Sequence, residues 1–399
     1  MDIKEVQISN FKGISNMTFF PKKINIIVGK NNTGKTSILE AIYYTMEVNP
    51  LEIQMRYEPH LSSLININAK ESKILLKMKG ENKYLFLRRP EINEIIPEFK
   101  RNLLEKLKVV ERMTNKEGMS NKDVLKKTTE LLDNNLLTDE KLLFEIKKEA
   151  ITIEFGGNKT FLFSYSPTLM MLITPLIDLL EKELFHNKRN NMGMIRYLLL
   201  NTGSFPYSTK EHGNKTAKII TNLILDRSKL SELSNNKSKI NDIQKYLQSR
   251  NILEDLERFD VDMLLFKKDG HEYQIPFSFM GDGFKALIGL FAQTTSKNEI
   301  VLVEEPENRM HPAYINELMR QILAFSENNN AQFFITTHSS DILDTVVGDK
   351  LEPHYQKYLS KELCIIHMNT LNNQTIVQEL DRKTAQNDLE ELLLDLRGS

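Results

Sequence analysis

The sequence has very little cysteine and no excess of charge of either sign. Among 399 residues there is one cysteine, Cys364, in an apolar stretch that predicts a buried strand. A single cysteine excludes a disulfide framework or a zinc site, and it fits a reducing cytoplasm. Lysine and arginine number 53 and aspartate and glutamate 54, for a net charge of -1. The overall charge therefore gives no indication that the protein binds nucleic acid.

Long hydrophobic runs are also missing. The most apolar run, Leu169–Leu180, is too short to span a bilayer and contains Pro175 and Asp178. The N-terminal residues lack the basic-then-apolar layout of a signal peptide. We therefore predict a cytoplasmic protein with no membrane partner, in which residues 169–180 form a core helix.

Sustained heptads and internal repeats are absent as well. Residues 91–150 are charged and predicted to be helical, but no heptad continues through them, which excludes a long coiled coil. The composition, with 40% hydrophobic and 27% charged residues, is typical of a soluble globular protein. A chain of this length predicts two or three domains.

A phosphate-binding pattern occurs near the N-terminus. Residues 29–36 read GKNNTGKT, which matches GxxxxGK[ST]. The preceding INIIVG predicts a strand and the following SILEAIYYTM predicts a helix. Glycines let backbone N–H groups surround phosphates, and the helix N-terminus attracts the same anion. A chance match in a turn is the alternative, and these flanks disfavour it.

The pattern assigns roles within this loop. Lys35 is expected to reach the β- and γ-phosphates of ATP, and the hydroxyl of Thr36 to bind Mg²⁺. The other predicted nucleotide-binding residues of this segment are Gly29, Asn31, Asn32, Thr33, Gly34 and Ser37.

Two adjacent carboxylates follow a second apolar run. Residues 300–303 (IVLV) predict a buried parallel strand, and Glu304 and Glu305 come directly after it. P-loop enzymes hold Mg²⁺ with an acid at the end of such a strand. We therefore predict Glu304 as a metal ligand and Glu305 as the general base for water. The alternative is that both acids cap a helix starting near Pro312.

A histidine follows a third predicted strand. Residues 331–339 read AQFFITTHS, so His338 lies at the carboxyl end of this strand. A lone histidine usually has no special role. Here its position after a strand, about one βαβ unit beyond the acids, predicts a catalytic contact with the γ-phosphate.

A second glycine-containing turn precedes the acidic strand. In residues 276–287 (PFSFMGDGFKAL) the turn opens an amphipathic helix, whose N-terminus is another place for an anion. A P-loop together with a second turn that can bind phosphate suggests a site shared between two chains. Each chain is expected to supply Gly281, Asp282 and Gly283 to the nucleotide of the other.

Together these motifs resemble the ABC-type ATPase heads of the SMC, RecF and OLD (overcoming-lysogenisation-defect) group. NFKGI at residues 10–14 resembles the opening strand of that group, with Phe11 and Lys12 on its nucleotide side. VEEPENRMHP resembles an OLD-like Walker B motif, FFITTHSSDIL its switch-histidine segment, and MGDGFKALIGL its signature motif. The resemblance covers about residues 1–90 and 260–380.

The sequence departs from that group at a few positions. Gly281 stands where the signature usually has serine, and Glu304 where aspartate is usual. Arg309 occupies a position that is often glycine in OLD-like proteins. Gln54 is only a weak candidate for the Q-loop glutamine.

The resemblance implies an α/β fold, with an ABC-type P-loop head that contains a mixed sheet and an antiparallel β lobe. We expect residues 1–90 and 259–399 to form the head, and residues 91–258 to form a mainly helical insertion with a hairpin near 150–166. Further hairpins are predicted from glycine- and asparagine-containing turns after residues 78, 155 and 268, with another hairpin at 364–380 and a helix after Arg382.

The segment from Asn187 to Arg250 is locally basic. It contains twelve lysines or arginines against four acids. A solvated set of helices is one interpretation, and a surface for DNA phosphates without sequence preference is the other. In the second case, exchanging Lys237, Lys239 and Lys245 for glutamate should weaken DNA binding.

The resemblance implies an ATPase that forms a homodimer or a higher even-numbered oligomer around ATP. OLD-like proteins usually carry a C-terminal Toprim nuclease domain, and this chain ends soon after the switch histidine. We therefore expect a nuclease or Toprim effector on another polypeptide, as in two-gene anti-phage defence modules. The alternatives are a RecF-like DNA-repair clamp, a transporter ATPase and a scaffold that binds ATP without hydrolysing it.

Overall fold

The computed structural model describes residues 2–57, 60–101, 130, 139–164, 166–184, 216–294, 297–308, 310–371 and 374–389. Its strands, in chain order, are β1 (Ile3–Phe11), β2 (Ile14–Phe19), β3 (Ile24–Gly29), β4 (Glu71–Met78), β5 (Glu81–Arg88), β6 (Ala150–Phe155), β7 (Asn158–Phe163), β8 (Ala217–Ile220), β9 (Leu256–Arg258), β10 (Met263–Lys268), β11 (His271–Pro276), β12 (Ile300–Glu304), β13 (Gln332–Thr336), β14 (Leu363–Leu371) and β15 (Gln374–Leu380).

The α-helices named here are α1 (Lys35–Met46), α2 (Pro50–Tyr57), α3 (Glu140–Lys148), α4 (Pro167–Leu184), α5 (Arg227–Ser234), α6 (Lys237–Ser249), α7 (Asp282–Gln293), α8 (Pro312–Asn329), α9 (Ser340–Val347), α10 (Pro353–Glu362) and α11 (Arg382–Asn387). Residues 92–101 are also helical. The predicted α/β class is confirmed.

The N-terminal half forms an antiparallel lobe. Its six strands lie in the order β2-β1-β4-β5-β6-β7. In β4, residues alternate between buried and more exposed positions, as expected when one face of a strand packs on a core. Strands β6 and β7 belong to this sheet, although they fall within residues 91–258. The domain boundary predicted at residue 90 would therefore cut through this antiparallel sheet.

The second large sheet is mixed and mainly parallel. Its order is β15-β14-β3-β13-β12-β8, and β15 is the antiparallel member. The central strand β3, INIIVG, is buried along its whole length, which suits a β-branched run covered on both faces. Strand β8 also falls within the predicted insertion, yet it pairs with β12.

Helix α1 lies between the two large sheets. Ile38, Leu39 and Ile42 share a fully buried core with strand residues from both sheets, among them Leu76 and Phe334. On the other face of the mainly parallel sheet, α8 and α9 form a second core. Complete burial of a leucine or isoleucine stabilises the fold by roughly 1.5–3 kcal/mol. This packing fixes where α1 begins, and thus where the P-loop lies.

Several local predictions are confirmed. Hairpins form at β4–β5, β6–β7, β10–β11 and β14–β15. In the β10–β11 turn Asp269 has φ 50° and Gly270 φ 82°, which suits a tight hairpin. Cys364 is buried on β14. Residues 169–180 lie within α4, which contains Pro175.

Other predictions need correction or fall outside the described residues. NFKGI is not a continuous strand, because β1 ends at Phe11 and β2 begins at Ile14. In the basic segment, only residues from 216 onward are described. Among the described residues, no helix combines the length and the apolar character needed to cross a membrane.

Candidate nucleotide-binding site

The candidate site forms where three neighbouring strands end. Strand β13 lies between β3 and β12, and all three are parallel, so their carboxyl ends meet at one edge of the sheet. This register places Glu304, at the end of β12, beside Thr336 of β13. The P-loop follows β3 at the same edge. Ligands in open α/β sheets bind outside such strand ends.

Glycine is required at two points of the P-loop. Gly29 has φ 148°, and a Cβ there would lie 2.4 Å from the carbonyl oxygen of Met368. Gly34 has φ 98° and is the N-cap of α1. Between them, the hydroxyl of Thr33 donates to the carbonyl of Lys30 at 2.9 Å. The loop therefore depends on backbone conformations that glycine adopts more easily than other residues.

The ammonium group of Lys35 is folded into the loop. Its Nζ donates to the carbonyl oxygens of Gly29 and Lys30, each at 2.8 Å. Burial lowers the pKa of Lys35 to about 8, against the opposing effect of the charges on Glu305 and Glu307. Both hydrogen-bond partners are neutral carbonyls. A phosphate group would give this buried cation a directly bonded anion, so the residues fit a phosphate ligand.

Thr36 and Glu304 meet across the site. The hydroxyl of Thr36 donates to Oε1 of Glu304 at 2.5 Å. Both groups offer hard oxygen atoms, which Mg²⁺ prefers. Among the described residues, no group of three or more His, Cys, Asp or Glu side chains could hold a metal. Mg²⁺ usually takes one or two protein ligands and completes its shell with water and substrate phosphates, so the oxygen atoms of Thr36 and Glu304 could hold it.

Glu305 has an unusual backbone conformation. Its φ is 42°, in the left-handed region, and its N–H donates to the carbonyl of Thr336 at 3.0 Å. A non-glycine residue in this region costs on the order of 1–3 kcal/mol, and such strain clusters at functional sites. The side chain is held at both ends: Oε1 lies 3.1 Å from Nε2 of His338, and Oε2 accepts from Asn308 at 3.2 Å.

His338 is partly buried beside Glu305. Burial lowers its pKa below the usual 6.5, and Lys35 acts in the same direction, while Glu305 opposes both. The ring is therefore neutral at pH 7. In a neutral ring, contact with a carboxylate places the proton on Nε2, so Nε2–H donates to Glu305.

Glu307 joins the site, and no role was predicted for it. Its Oε1 accepts hydrogen bonds from the hydroxyl of Thr337 at 2.6 Å and from the N–H of His338 at 2.9 Å. Its Oε2 is buried with no hydrogen-bond partner among the described residues. Burial raises the pKa of Glu307. The sequence shows an additional acid after the proline in EEPEN, but only the fold shows which groups this glutamate contacts.

Lys12 and Gln54 have other partners in this structure. The Nζ atom of Lys12 pairs with Glu40 of α1 and lies 4.5 Å from the ring centroid of Tyr57. Arg56 of α2 also pairs with Glu40, at 3.0 Å. Gln54 is buried and donates to the carbonyl of Phe163 at 2.8 Å, so it connects α2 to β7.

The second glycine-containing turn lies at the start of α7. Gly281 is the N-cap of this helix, and a Cβ there would have no atom within 4 Å. A Cβ on Gly283 would lie 2.8 Å from the ring of Tyr314 on α8. Asp282 pairs with Lys285 at 3.8 Å. The contacts that join Lys35, Glu304, Glu305 and His338 do not include this turn.

The acids do not cap the helix at Pro312. Helix α8 has His311 as its N-cap, and the His311 side chain accepts from the N–H of Ala313. Arg309 lies outside the described residues. The alternative interpretation of Glu304 and Glu305 as helix caps is therefore wrong.

A P-loop with a carboxylate pair and a histidine at adjacent strand ends defines a P-loop ATPase head of the ABC type. A family model described as "AAA ATPase domain" matches residues 1–343. The chain belongs to this family. The predicted resemblance to the SMC, RecF and OLD group is confirmed.

Individual relatives agree with this class. The chain is 25% identical to an ATP/GTP phosphatase of Helicobacter pylori, over 89% of this chain and 91% of that protein. It is 21% identical to the endonuclease GajA of Bacillus cereus over 92% of this chain, but it spans 60% of GajA's length. It is 40% identical to RecF of Francisella tularensis subsp. novicida, over 19% of this chain and 21% of RecF.

Among solved structures, the SMC head domain of Thermotoga maritima aligns with a TM-score of 0.43 at 12% identity. This alignment covers 95% of the present chain and 99% of that one.

Proposed function

We propose that this chain binds Mg-ATP and hydrolyses it in a site shared by two engaged copies. The observation that carries the proposal is the convergence of Lys35, the Thr36–Glu304 pair and the Glu305–His338 pair at adjacent strand ends. The family description and the Helicobacter pylori phosphatase support the hydrolytic part.

Each residue has a definite task in this proposal. Lys35 and the loop N–H groups bind the phosphates, and Thr36 with Glu304 provides the protein oxygens for Mg²⁺. The ion, when bound, neutralises charge on the phosphates. Glu305 accepts a proton from the attacking water, and neutral His338 holds the Glu305 carboxylate in place through its Nε2–H.

Dimerisation completes the site in this proposal. Gly281, Asp282 and Gly283 of one copy are expected to meet the nucleotide bound by the other. The turn suits this role, because its glycine N-cap leaves space for an approaching ligand and Phe279 beside it is 80% exposed. Backbone N–H groups at the start of α7 would then face the phosphates.

The cellular role that we propose is control of a separate effector, a nuclease or Toprim protein, in anti-phage defence. The support is the likeness to a protein named endonuclease GajA along most of this chain. A RecF-like DNA clamp is the alternative, and the short match to RecF supports it only for a small part of the chain.

Glu305→Gln tests the enzymatic proposal. The neutral amide cannot accept the proton, so we expect ATP binding to persist while turnover falls by roughly 10²–10⁴-fold. Glu254→Gln, at an exposed position away from these contacts, is the matched control. Near-normal hydrolysis by the Glu305→Gln protein would contradict the role of Glu305. Co-purification of the tagged chain with a stoichiometric nuclease would support the effector; recovery as an even-numbered oligomer alone would favour the DNA clamp.

A further inference from the structure

Residues 305–308 (EPEN) form a tight turn directly after strand β12. The N–H of Asn308 donates to the carbonyl of Glu305 at 3.1 Å, which closes this four-residue turn. Proline suits the second position of such a turn, because its ring fixes φ at about −65°. The turn therefore brings the residues at its first and fourth positions, Glu305 and Asn308, close together.

Asn308 contacts the oxygen atom of the Glu305 carboxylate that His338 does not contact. Its Nδ2 donates to Oε2 at 3.2 Å, while Nε2 of His338 lies 3.1 Å from Oε1. Each carboxylate oxygen thus has one N–H partner. A carboxylate has about four lone-pair sites in all, so both oxygens keep a site for the proton of a water molecule. The two contacts therefore fix the direction of the carboxylate without saturating it.

Glu307, at the third position of the turn, connects the turn to the loop that follows strand β13. Its Oε1 accepts hydrogen bonds from the hydroxyl of Thr337 at 2.6 Å and from the N–H of His338 at 2.9 Å. The hydroxyl oxygen of Thr337 in turn accepts from the N–H of Ser339 at 2.9 Å. The backbone of the histidine and the turn that carries Asn308 are therefore parts of one hydrogen-bonded unit.

The backbone is also held before and after Asn308. The N–H of Glu305 donates to the carbonyl of Thr336 at 3.0 Å and lies 3.3 Å from the hydroxyl oxygen of the same residue. Beyond Asn308, the N–H of Met310 donates to the carbonyl of Glu307 at 2.9 Å. Because its backbone is fixed on both sides, the turn presents the Asn308 amide in a defined direction.

The turn itself does not require the Asn308 amide. Asparagine is favoured at the first position of a type I turn and glycine at the fourth, so a carboxamide at the fourth position is not a matter of turn chemistry. Asn308 is exposed, so its side chain is not needed to fill the core either. Its hydrogen bond goes instead to the carboxylate of Glu305.

We propose that Asn308 is a positioning residue for the general base: it holds the Glu305 carboxylate beside His338, so that the carboxylate keeps one direction toward the attacking water. This inference rests on the proposed function, because it requires that Glu305 accepts a proton from water. An uncharged amide suits the task, since it donates a hydrogen bond without neutralising the carboxylate. Asn308 thus acts on the reaction through Glu305.

The kinetic test uses substitutions of this exposed side chain in the full chain. Asn308→Ala removes the donor, and Asn308→Asp replaces it with a carboxylate that repels Glu305. We expect kcat to fall about tenfold in Asn308→Ala and about 10²-fold in Asn308→Asp, since small misplacements of a reacting group have effects of this size. The Kd for ATP should stay close to that of wild type. Asn308→Gln keeps the amide on a longer side chain and should recover part of the rate.

Asn235→Ala and Asn235→Asp are the matched controls, because Asn235 is exposed and follows helix α5, outside the contacts described above. Their kcat should equal that of wild type. Thermal unfolding of the Asn308 variants should also match wild type, since only an exposed side chain changes. A kcat of Asn308→Ala that is equal to or above that of wild type would overturn the proposal.

A double-mutant cycle distinguishes failure of this inference from failure of the proposed function. If Asn308 acts through Glu305, Asn308→Ala lowers the single-turnover rate of the wild-type protein but causes no further loss in the Glu305→Gln protein. The same fold-loss in both backgrounds would show an effect independent of the base and would overturn the positioning role. If Glu305→Gln itself hydrolyses ATP at the wild-type rate, the proposed function fails. A slow Glu305→Gln protein together with an unimpaired Asn308→Ala protein refutes only the role of Asn308.

Discussion

The Nε2 atom of His338 lies 3.1 Å from Oε1 of Glu305, and the two residues come from neighbouring strand ends that are 33 positions apart in the chain. The neutral ring donates an Nε2–H hydrogen bond to the carboxylate, which fixes the direction of the Glu305 side chain. A general base needs such a fixed position relative to the proton that it accepts.

Replacing His338 should therefore impair the chemical step more than binding. We expect His338→Ala to lower kcat by roughly 10²-fold, the usual effect of removing one positioned donor, while the Kd for ATP changes little. His338→Gln, which keeps an N–H donor, should recover part of the rate. Equal kcat in wild-type and His338→Ala proteins would remove His338 from the mechanism.

Thr36 and Glu304 predict a specific dependence on magnesium. Thr36→Ala removes the hydroxyl, so the gain in ATP affinity on adding Mg²⁺ should shrink by about tenfold, equivalent to one hydrogen bond of ~1.5 kcal/mol. Thr36→Ser keeps the hydroxyl and should preserve the gain. Titrations with and without EDTA measure the difference, and an unchanged gain in Thr36→Ala would exclude Thr36 as a ligand.

Two glycines of helix α7 and its N-cap allow an effect on folding to be separated from an effect on the shared nucleotide site. Gly281→Ala meets no atom within 4 Å, so its thermal unfolding should match wild type while ATP turnover falls. Gly289→Ala would place a Cβ 1.6 Å from the carbonyl oxygen of Leu223. Such overpacking costs about 1–3 kcal/mol of unfolding free energy. Normal turnover in Gly281→Ala would contradict the predicted contact from a partner chain.

Glu307 should stabilise the fold through its Oε1 atom, which accepts two hydrogen bonds. Glu307→Ala leaves the hydroxyl of Thr337 and the N–H of His338 without their acceptor, which should cost about 1–3 kcal/mol of unfolding free energy. Glu307→Gln keeps a carbonyl acceptor and should retain most of the stability. Chemical denaturation of the three proteins measures the difference. Similar losses in both variants would show that charge, and not hydrogen bonding, matters at this position.

The raised pKa of Glu307 predicts a pH dependence of stability. Because its folded pKa lies above the usual 4.5, the folded protein holds this proton more tightly than the unfolded chain does. That contribution is complete below pH 4.5 and is lost as the pH rises through the folded pKa. Glu307→Gln has no such proton. Its stability relative to wild type should therefore improve as the pH rises above 4.5 and through the raised folded pKa, and a constant difference would contradict the shift.

The sequence alone was enough to predict the parts of this protein whose geometry is local. The P-loop is a strand, a glycine turn and a helix in immediate succession, so its spacing predicted both its structure and its ligand class. Hairpins such as β10–β11 follow from two turn residues in the same way. The carboxylate pair could be placed because an apolar run that ends in acids indicates a buried parallel strand.

Tertiary structure decided everything that depends on which strands lie side by side. The order β3-β13-β12 brings Thr36 to Glu304 across 268 positions of chain. It also turns Glu307 back onto the Thr337–His338 loop, which no spacing rule predicts. Lys239 of α6 shows the same limit: helical periodicity describes its own helix, but only the packing of α6 against the end of α7 brings this lysine from the basic surface to the carbonyl of Ala292.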